Sequence, residues 1–207
     1  MSLRVWDEHV VPRLTDLSLR GHEVGELREA ACAGLTGRVL EIGFGSGLNV
    51  PWYPPAVTSV TAIEPSDVGW RLSMSRRERA RVPVERAGLD GQRLDLADAS
   101  HDCALVTFSL CTIPDAVLAL REARRVVRAG GHLSALEHGL APDESVRRWQ
   151  RRLEPAQRAL AAGCHLTRDI PAMVRDAGWE VVDVERCYLP GPAASRTWAC
   201  CYRLLAR

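Results

Sequence analysis

Val39-Leu40-Glu41-Ile42-Gly43-Phe44-Gly45-Ser46-Gly47 is a short apolar run that ends in a glycine-rich turn. Its length and branched residues predict a buried strand over Arg38–Ile42 rather than a helix. Glycines at 43, 45 and 47 let the backbone take positive φ and let a ligand approach the main chain closely. A helix after such a turn would aim its free N–H groups at that ligand. The spacing is G-x-G-x-G, with Leu48 where the dinucleotide fingerprint G-x-G-x-x-G needs its last glycine. Glu41 lies two positions before the first glycine. A carboxylate there repels a pyrophosphate and suits a ligand that carries positive charge.

Two further carboxylates extend this reading. Val57–Ile63 is predicted as the next strand and is followed by Glu64 and Pro65. In doubly wound folds an acidic residue about 20 positions after the glycine turn accepts hydrogen bonds from ribose hydroxyls. Glu64 fits that place, and Pro65 turns the chain away. Asp90-Gly91, within Leu89–Leu94, falls in the loop after the third strand, where a carboxylate and an adjacent N–H can meet an adenine edge. Taken singly, Glu64 reads equally as an ordinary strand-end glutamate and Asp90-Gly91 as a solvated turn.

Outward from these motifs the chain alternates. Residues 3–33 read as helical, closed by Gly34 and Gly37. Ser66–Arg81 is predicted as a helix and Val82–Arg86 as a short strand. Cys103–Thr107 is the next strand. Asp115–Arg128 is a helix capped by Asp115 and stopped by Gly130-Gly131. His132–Glu137 is a strand, and Pro142-Asp143 opens an Arg-rich helix to about Ala162. Thr167 is placed to cap a helix ending at Gly178. Trp179–Arg186 and Thr197–Leu205 close as two strands. Repeated βα units imply a parallel sheet with helices on both faces, and two final strands imply an antiparallel hairpin at its edge. The expected organisation is a helical cap or lid over residues 1–36 and an α/β domain over 37–207.

The 207 residues allow one domain with a small appendage. The 27 basic residues, all Arg, balance 26 acidic ones, which argues against a nucleic-acid-binding surface and excludes lysine chemistry. The N-terminus lacks a signal-peptide core, no stretch of 18 apolar residues occurs, and the seven cysteines form no CxxC pair. A cytoplasmic location with free thiols is therefore expected.

The ordered set VLEIGFGSG, Glu64, LDGQRL…DASHD, VTFSLCTIPD and REARRVVRAGGHL resembles the class I S-adenosylmethionine-dependent methyltransferases over about residues 37–140. Leu89 and His101 depart from the residues that family often carries there. The resemblance implies a Rossmann-like, seven-stranded, mostly parallel sheet with a C-terminal antiparallel hairpin. It implies S-adenosylmethionine as cofactor, leaving as S-adenosylhomocysteine. Glu41, Gly43, Phe44, Gly45 and Gly47 would meet the methionine moiety, Glu64 and Pro65 the ribose, and Asp90 and Gly91 the adenine. Ser109, Leu110 and Cys111 would line the reactive end. A nicotinamide oxidoreductase is disfavoured by the glycine spacing and Glu41. A non-catalytic cofactor-binding scaffold is the remaining alternative.

Glu137-His138-Gly139, Leu153-Glu154-Pro155 and Gly163-Cys164-His165-Leu166-Thr167-Arg168 look like the alkyl-thiol methyltransferases of the methyltransferase-like group. That resemblance favours a small lipophilic thiol as acceptor. Quinone-precursor and phospholipid-headgroup methyltransferases carry related motifs, so O- or N-methylation stays open. The membrane anchor of that group has no counterpart in this sequence and is not carried over. His138, at the carboxyl end of a strand, is the candidate base or substrate-positioning group; a structural strand-end histidine is the alternative. Cys164-His165 lacks further paired ligands, so no metal is expected. Arg147, Arg148, Arg151 and Arg152 read as a solvated face beside Glu144 and Glu154. Trp6, Trp52, Tyr53 and Trp149 either wall a pocket or fill the core.

Overall fold

The computed structural model describes residues 5–189 and 191–207; Leu3 and Arg4, where the first helical stretch was expected to begin, lie outside them. Trp6–Val10 forms a π-helical turn that runs into α1 (Val11–Leu19), and α2 follows at His22–Cys32. The strands are β1 (Gly37–Ile42), β2 (Val57–Ile63), β3 (Val84–Gly88), β4 (His101–Thr107), β5 (Val127–His138), β6 (Val181–Tyr188) and β7 (Cys200–Ala206). Between them lie α3 (Asp67–Leu72), α4 (Met74–Glu78), α5 (Ala116–Val126), α6 (Glu144–Leu160), α7 (Ile170–Asp176) and α8 (Arg196–Ala199).

The seven strands form one sheet in the order β3-β2-β1-β4-β5-β7-β6. β1 pairs in parallel with β2 and β4, and β7 runs antiparallel to both its neighbours, β5 and β6. The expected Rossmann-like sheet with its terminal hairpin is therefore present. Strand alternation divides the core. Leu40, Ile42, Ala104 and Val106 pack on one face with Leu120 and Ala123 of α5 and Ile170 and Val174 of α7. Val39, Cys103 and Leu105 pack on the other with Cys32, Leu35 and Tyr53. Strand order reverses between β1 and β4, the switch point at which such sheets leave a crevice beyond the carboxyl ends of their strands.

Several boundaries differ from expectation for local reasons. No α-helix follows the glycine turn; a 3₁₀ turn, Val50–Trp52, stands there instead. Pro51 sits within that turn, and Pro54 and Pro55 lack the N–H groups a longer helix needs; Tyr53, just before them, is already extended (φ −63°, ψ 124°). Ser66–Arg81 is two short helices, because Ser73 turns its hydroxyl back onto the Trp70 carbonyl (2.7 Å) at the break. Gly130-Gly131 does not stop α5. That helix ends at Val126, Val127 already pairs with His101, and the glycines form an irregularity within β5 before His132 pairs with Cys103. A Cβ on Gly131 would meet the Asp102 carbonyl at 2.4 Å. Asp169, not Thr167, caps α7 by accepting from the Ala172 amide (3.0 Å). The last strand starts at Cys200, after the helical turn α8.

Candidate functional site

A cavity of about 850 Å³ opens at the carboxyl ends of β1, β2 and β4 and is walled on its outer side by residues from 7 to 19. That size falls within the roughly 300–1,000 Å³ of small-molecule sites. Of the twelve predicted cofactor residues, Gly43, Phe44, Gly45, Glu64, Pro65, Asp90, Gly91 and Ser109 line it. Four segments that are far apart in the chain are thus brought to one crevice.

Its centre is set by Gly43, Gly45 and Glu64. Gly43 has φ +77°, and a Cβ there would fall 1.9 Å from Ser109 Oγ. Only glycine lets the end of β1 pass so close to the loop after β4. Ser109 Oγ donates back to the Gly43 carbonyl (3.2 Å). The Gly45 amide donates to Glu64 Oε2 (2.5 Å), and the Ser66 amide donates to Oε1 (2.7 Å). Glu64 is only 5% exposed. Burial raises its pKa against the pull of those amides and of Arg86. A buried carboxylate with spare lone pairs facing a cavity is a ready acceptor for hydroxyl donors. Beyond it, Asp90 Oδ1 accepts from the Gln92 amide (2.9 Å), an Asx turn that sits on the cavity rim.

Glu41, Gly47, Leu110 and Cys111 stand behind the lining. Glu41 is fully buried, accepting from the Tyr53 hydroxyl and from Asn49 Nδ2 (2.9 Å). Burial pushes its pKa up to about 7, although those hydrogen bonds and Arg28 pull it down. Arg28 of α2 donates to Asn49 Oδ1 (2.7 Å) and Thr107 Oγ1 (2.9 Å) and lines the cavity. Glu41 thus stands behind the cavity wall, its carboxylate engaged by Tyr53 and Asn49. A Cβ on Gly47 would press on Ser73 and the Phe44 ring, so the turn packs closely there. The Leu110 side chain enters the core, and Cys111 is buried.

His138 also lies outside the cavity lining. Its Nε2 is 3.1 Å from Cys164 Sγ. The Cys164 thiol is held well below its usual pKa by its hydrogen bond with Cys111, and His138 adds to the effect. Glu137 accepts from the amides of Ser109 (2.7 Å) and Leu110 (3.0 Å), and Arg168 donates to the carbonyls of Leu110 and Ile113. These two side chains pin the loop after β4 in place. His165 turns away to Glu154 (2.7 Å).

Two residues escaped the sequence reading. Arg28 carried one weak signal, an arginine next to the apolar stripe of its helix. Arg76 had none: it bridges the glycine turn and α1, donating to the Ser46 carbonyl (2.8 Å) and pairing with Asp16 (2.9 Å). Of Trp6, Trp52, Tyr53 and Trp149, none lines the cavity, whereas Phe44 and Phe108 do. Tyr53 holds Glu41, Trp52 packs on the core, Trp6 bonds the Leu160 carbonyl and Trp149 is exposed. Glu144 pairs with Arg147 and Arg151 on a solvated face. Among the described residues, no helix is long and apolar enough to cross a membrane.

Known proteins share the sequence pattern and the fold. The family described as "Methyltransferase domain" matches residues 40–135. Thiol S-methyltransferase TMT1B of Rattus norvegicus is 34% identical over 151 residues, covering 71% of this chain and 62% of that protein. Thiol S-methyltransferase TMT1A of Homo sapiens is 32% identical over 164 residues, covering 76% of this chain and 67% of that protein. The chain thus spans just under two thirds of the rat relative. A solved SAM-dependent methyltransferase of Thermotoga maritima, described as a possible histamine N-methyltransferase, shares the fold with a TM-score of 0.68. The match covers 99% of both chains at 22% identity.

Proposed function

The chain belongs to the S-adenosylmethionine-dependent methyltransferases, and on that premise we propose that it transfers the cofactor's methyl group to a small lipophilic acceptor, a thiol before other classes. The observation that carries the cofactor assignment is the pairing of Glu64 with the Gly45 amide at the floor of the cavity. In this reading Glu64 takes the ribose hydroxyls, and Asp90 and Gly91 border the adenine. Ser109 borders the end where the methyl leaves, and the N-terminal helices cover the site.

The bound cofactor supplies a methyl carbon on a sulfonium, a good leaving group. The chain's own part is to align the incoming nucleophile with that carbon at roughly 3–3.5 Å and to keep water out. A thiol, with a pKa of about 8.5, is partly ionised near neutrality and needs little help from a base. A phenol, at about 10, needs more. His138 is turned to Cys164 and away from the cavity, which favours the acceptor that asks least of a base. Likeness to the TMT1 relatives supports the same choice.

The test is incubation of the purified protein with methyl-labelled cofactor and matched panels of lipophilic thiols, phenols and amines. Label on thiols supports the reading. Label on phenols or amines alone overturns the acceptor while leaving the enzyme class. Cofactor binding without transfer to any panel would favour a scaffold.

A further inference from the structure

Three side chains from distant segments converge behind the loop that follows β4. Cys111 from that loop, His138 from the end of β5 and Cys164 from the turn after α6 bring two sulfurs and an imidazole nitrogen within 4.8 Å of one another. Both cysteines are buried, and neither is in a disulfide. A single buried cysteine is an ordinary small apolar residue. Two of them meeting a histidine, each delivered by a different element, is the donor set of a metal centre. We propose that Cys111, His138 and Cys164 are the protein ligands of one thiophilic divalent metal ion of the zinc class.

The donor chemistry selects the ion. Thiolate and imidazole favour zinc over magnesium or calcium, which take oxygen ligands. Three protein ligands, two Cys and one His, leave a fourth position for water or an added ligand. The backbone around the cluster is already tied together. The His165 amide donates to the Cys111 carbonyl (2.8 Å), and Arg168 reaches the carbonyls of Leu110 and Ile113. Such bracing fixes the donors before an ion arrives.

The location gives the ion a consequence. Cys111 stands between the cavity-lining residues Ser109 and Thr112, and Cys164 lies two residues beyond cavity-lining Ala162. An ion here would clamp one wall of the cavity to the end of β5. The proposal does not depend on the acceptor or on methyl transfer.

Titration of the purified, metal-free chain with Co²⁺ tests it. One equivalent should bind, with sulfur-to-cobalt charge-transfer absorption and the visible bands of four-coordinate cobalt, and Zn²⁺ should displace it. Cys111→Ser and Cys164→Ser should each reduce the charge-transfer band, and His138→Ala should weaken binding by more than about tenfold. Loss of even an outer partner of a metal ligand costs 10–100-fold. Because a variant can misfold, X-ray absorption on the zinc-loaded natural chain provides a readout without substitution. The expected shell holds two sulfurs at about 2.3 Å and at least one nitrogen at about 2.0 Å. A shell of nitrogen and oxygen alone overturns the proposal. So does a charge-transfer band that is absent from the folded natural chain, or one that is unchanged in both serine variants.

Discussion

Ser109 Oγ occupies the space that a side chain at position 43 would need: an added Cβ on Gly43 would lie 1.9 Å from it. The contact joins the end of β1 to the loop after β4, the two strands between which the crevice opens. Gly43→Ala would combine this clash with a backbone at φ +77°, which L-residues rarely adopt. The variant should be destabilised by at least about 2 kcal/mol, with cofactor affinity lowered by more than tenfold (~1.4 kcal/mol). Thermal unfolding and calorimetry check this. An unchanged melting point would mean that the turn is not locked by this contact.

Glu64→Gln keeps the shape of the side chain but removes its charge and one acceptor oxygen. Cofactor binding should weaken by about 1–3 kcal/mol, the scale of hydrogen bonds to a charged group. Calorimetry that returned the natural affinity would remove Glu64 from the proposed ribose contact. A smaller fall in stability is also expected, because one of the two amides at Gly45 and Ser66 is left facing an NH₂ donor in place of an acceptor.

Burial of Glu41 predicts a pH dependence of definite sign. Its usual pKa of 4.5 is pushed up to about 7 by burial, so the folded protein holds this proton more tightly than the unfolded chain does. The associated stabilisation is complete below about pH 4.5 and is lost as pH rises through about 7, up to about 3 kcal/mol in all. Glu41→Gln cannot lose that proton. Between pH 5 and 8 the natural protein should therefore lose more stability than the variant. Denaturation curves that stay parallel across the range would show that Glu41 remains ionised throughout.

Arg76 is the tie between the outer wall of the cavity and the glycine turn. Arg76→Ala removes a partly buried ion pair and a charged hydrogen bond, a loss of about 1.5–3 kcal/mol. Helix α1 buries none of its residues, so little else holds it in place. Amide exchange over residues 11–19 should accelerate by about tenfold or more, while the strands keep their protection. Uniform acceleration along the whole chain would point to global destabilisation instead.

The parts of the fold legible in the sequence were those written in local pattern. The run through Ile42, the strand before Glu64 and the terminal hairpin each carried their periodicity and their stop signals, and the sheet followed from their order. The glycine turn, Glu64, Asp90 and Ser109 were legible because each sits at the end of such an element. The helix expected after Gly47 is absent because Pro54 and Pro55 follow so soon after the turn. The meeting of Cys111, His138 and Cys164 had no local signature. Cys164 was paired with its chain neighbour His165, whereas the fold sends His165 to Glu154 and brings His138 from another strand. Arg28 and Arg76 were hidden for the same reason: their partners come from contacts between elements.

The double engagement of Glu64 has a bearing on how the molecule has been free to change. Because its carboxylate answers the Gly45 amide and the Ser66 amide at once, the turn is shaped by the chain's own groups. In the proposed ribose role, a sugar arriving there would meet a finished surface and lose little ordering entropy on docking. Under that proposal, mutational drift at position 64 would cost twice, once in the architecture of the turn and once in ligand affinity, so neither trait could be adjusted there without disturbing the other.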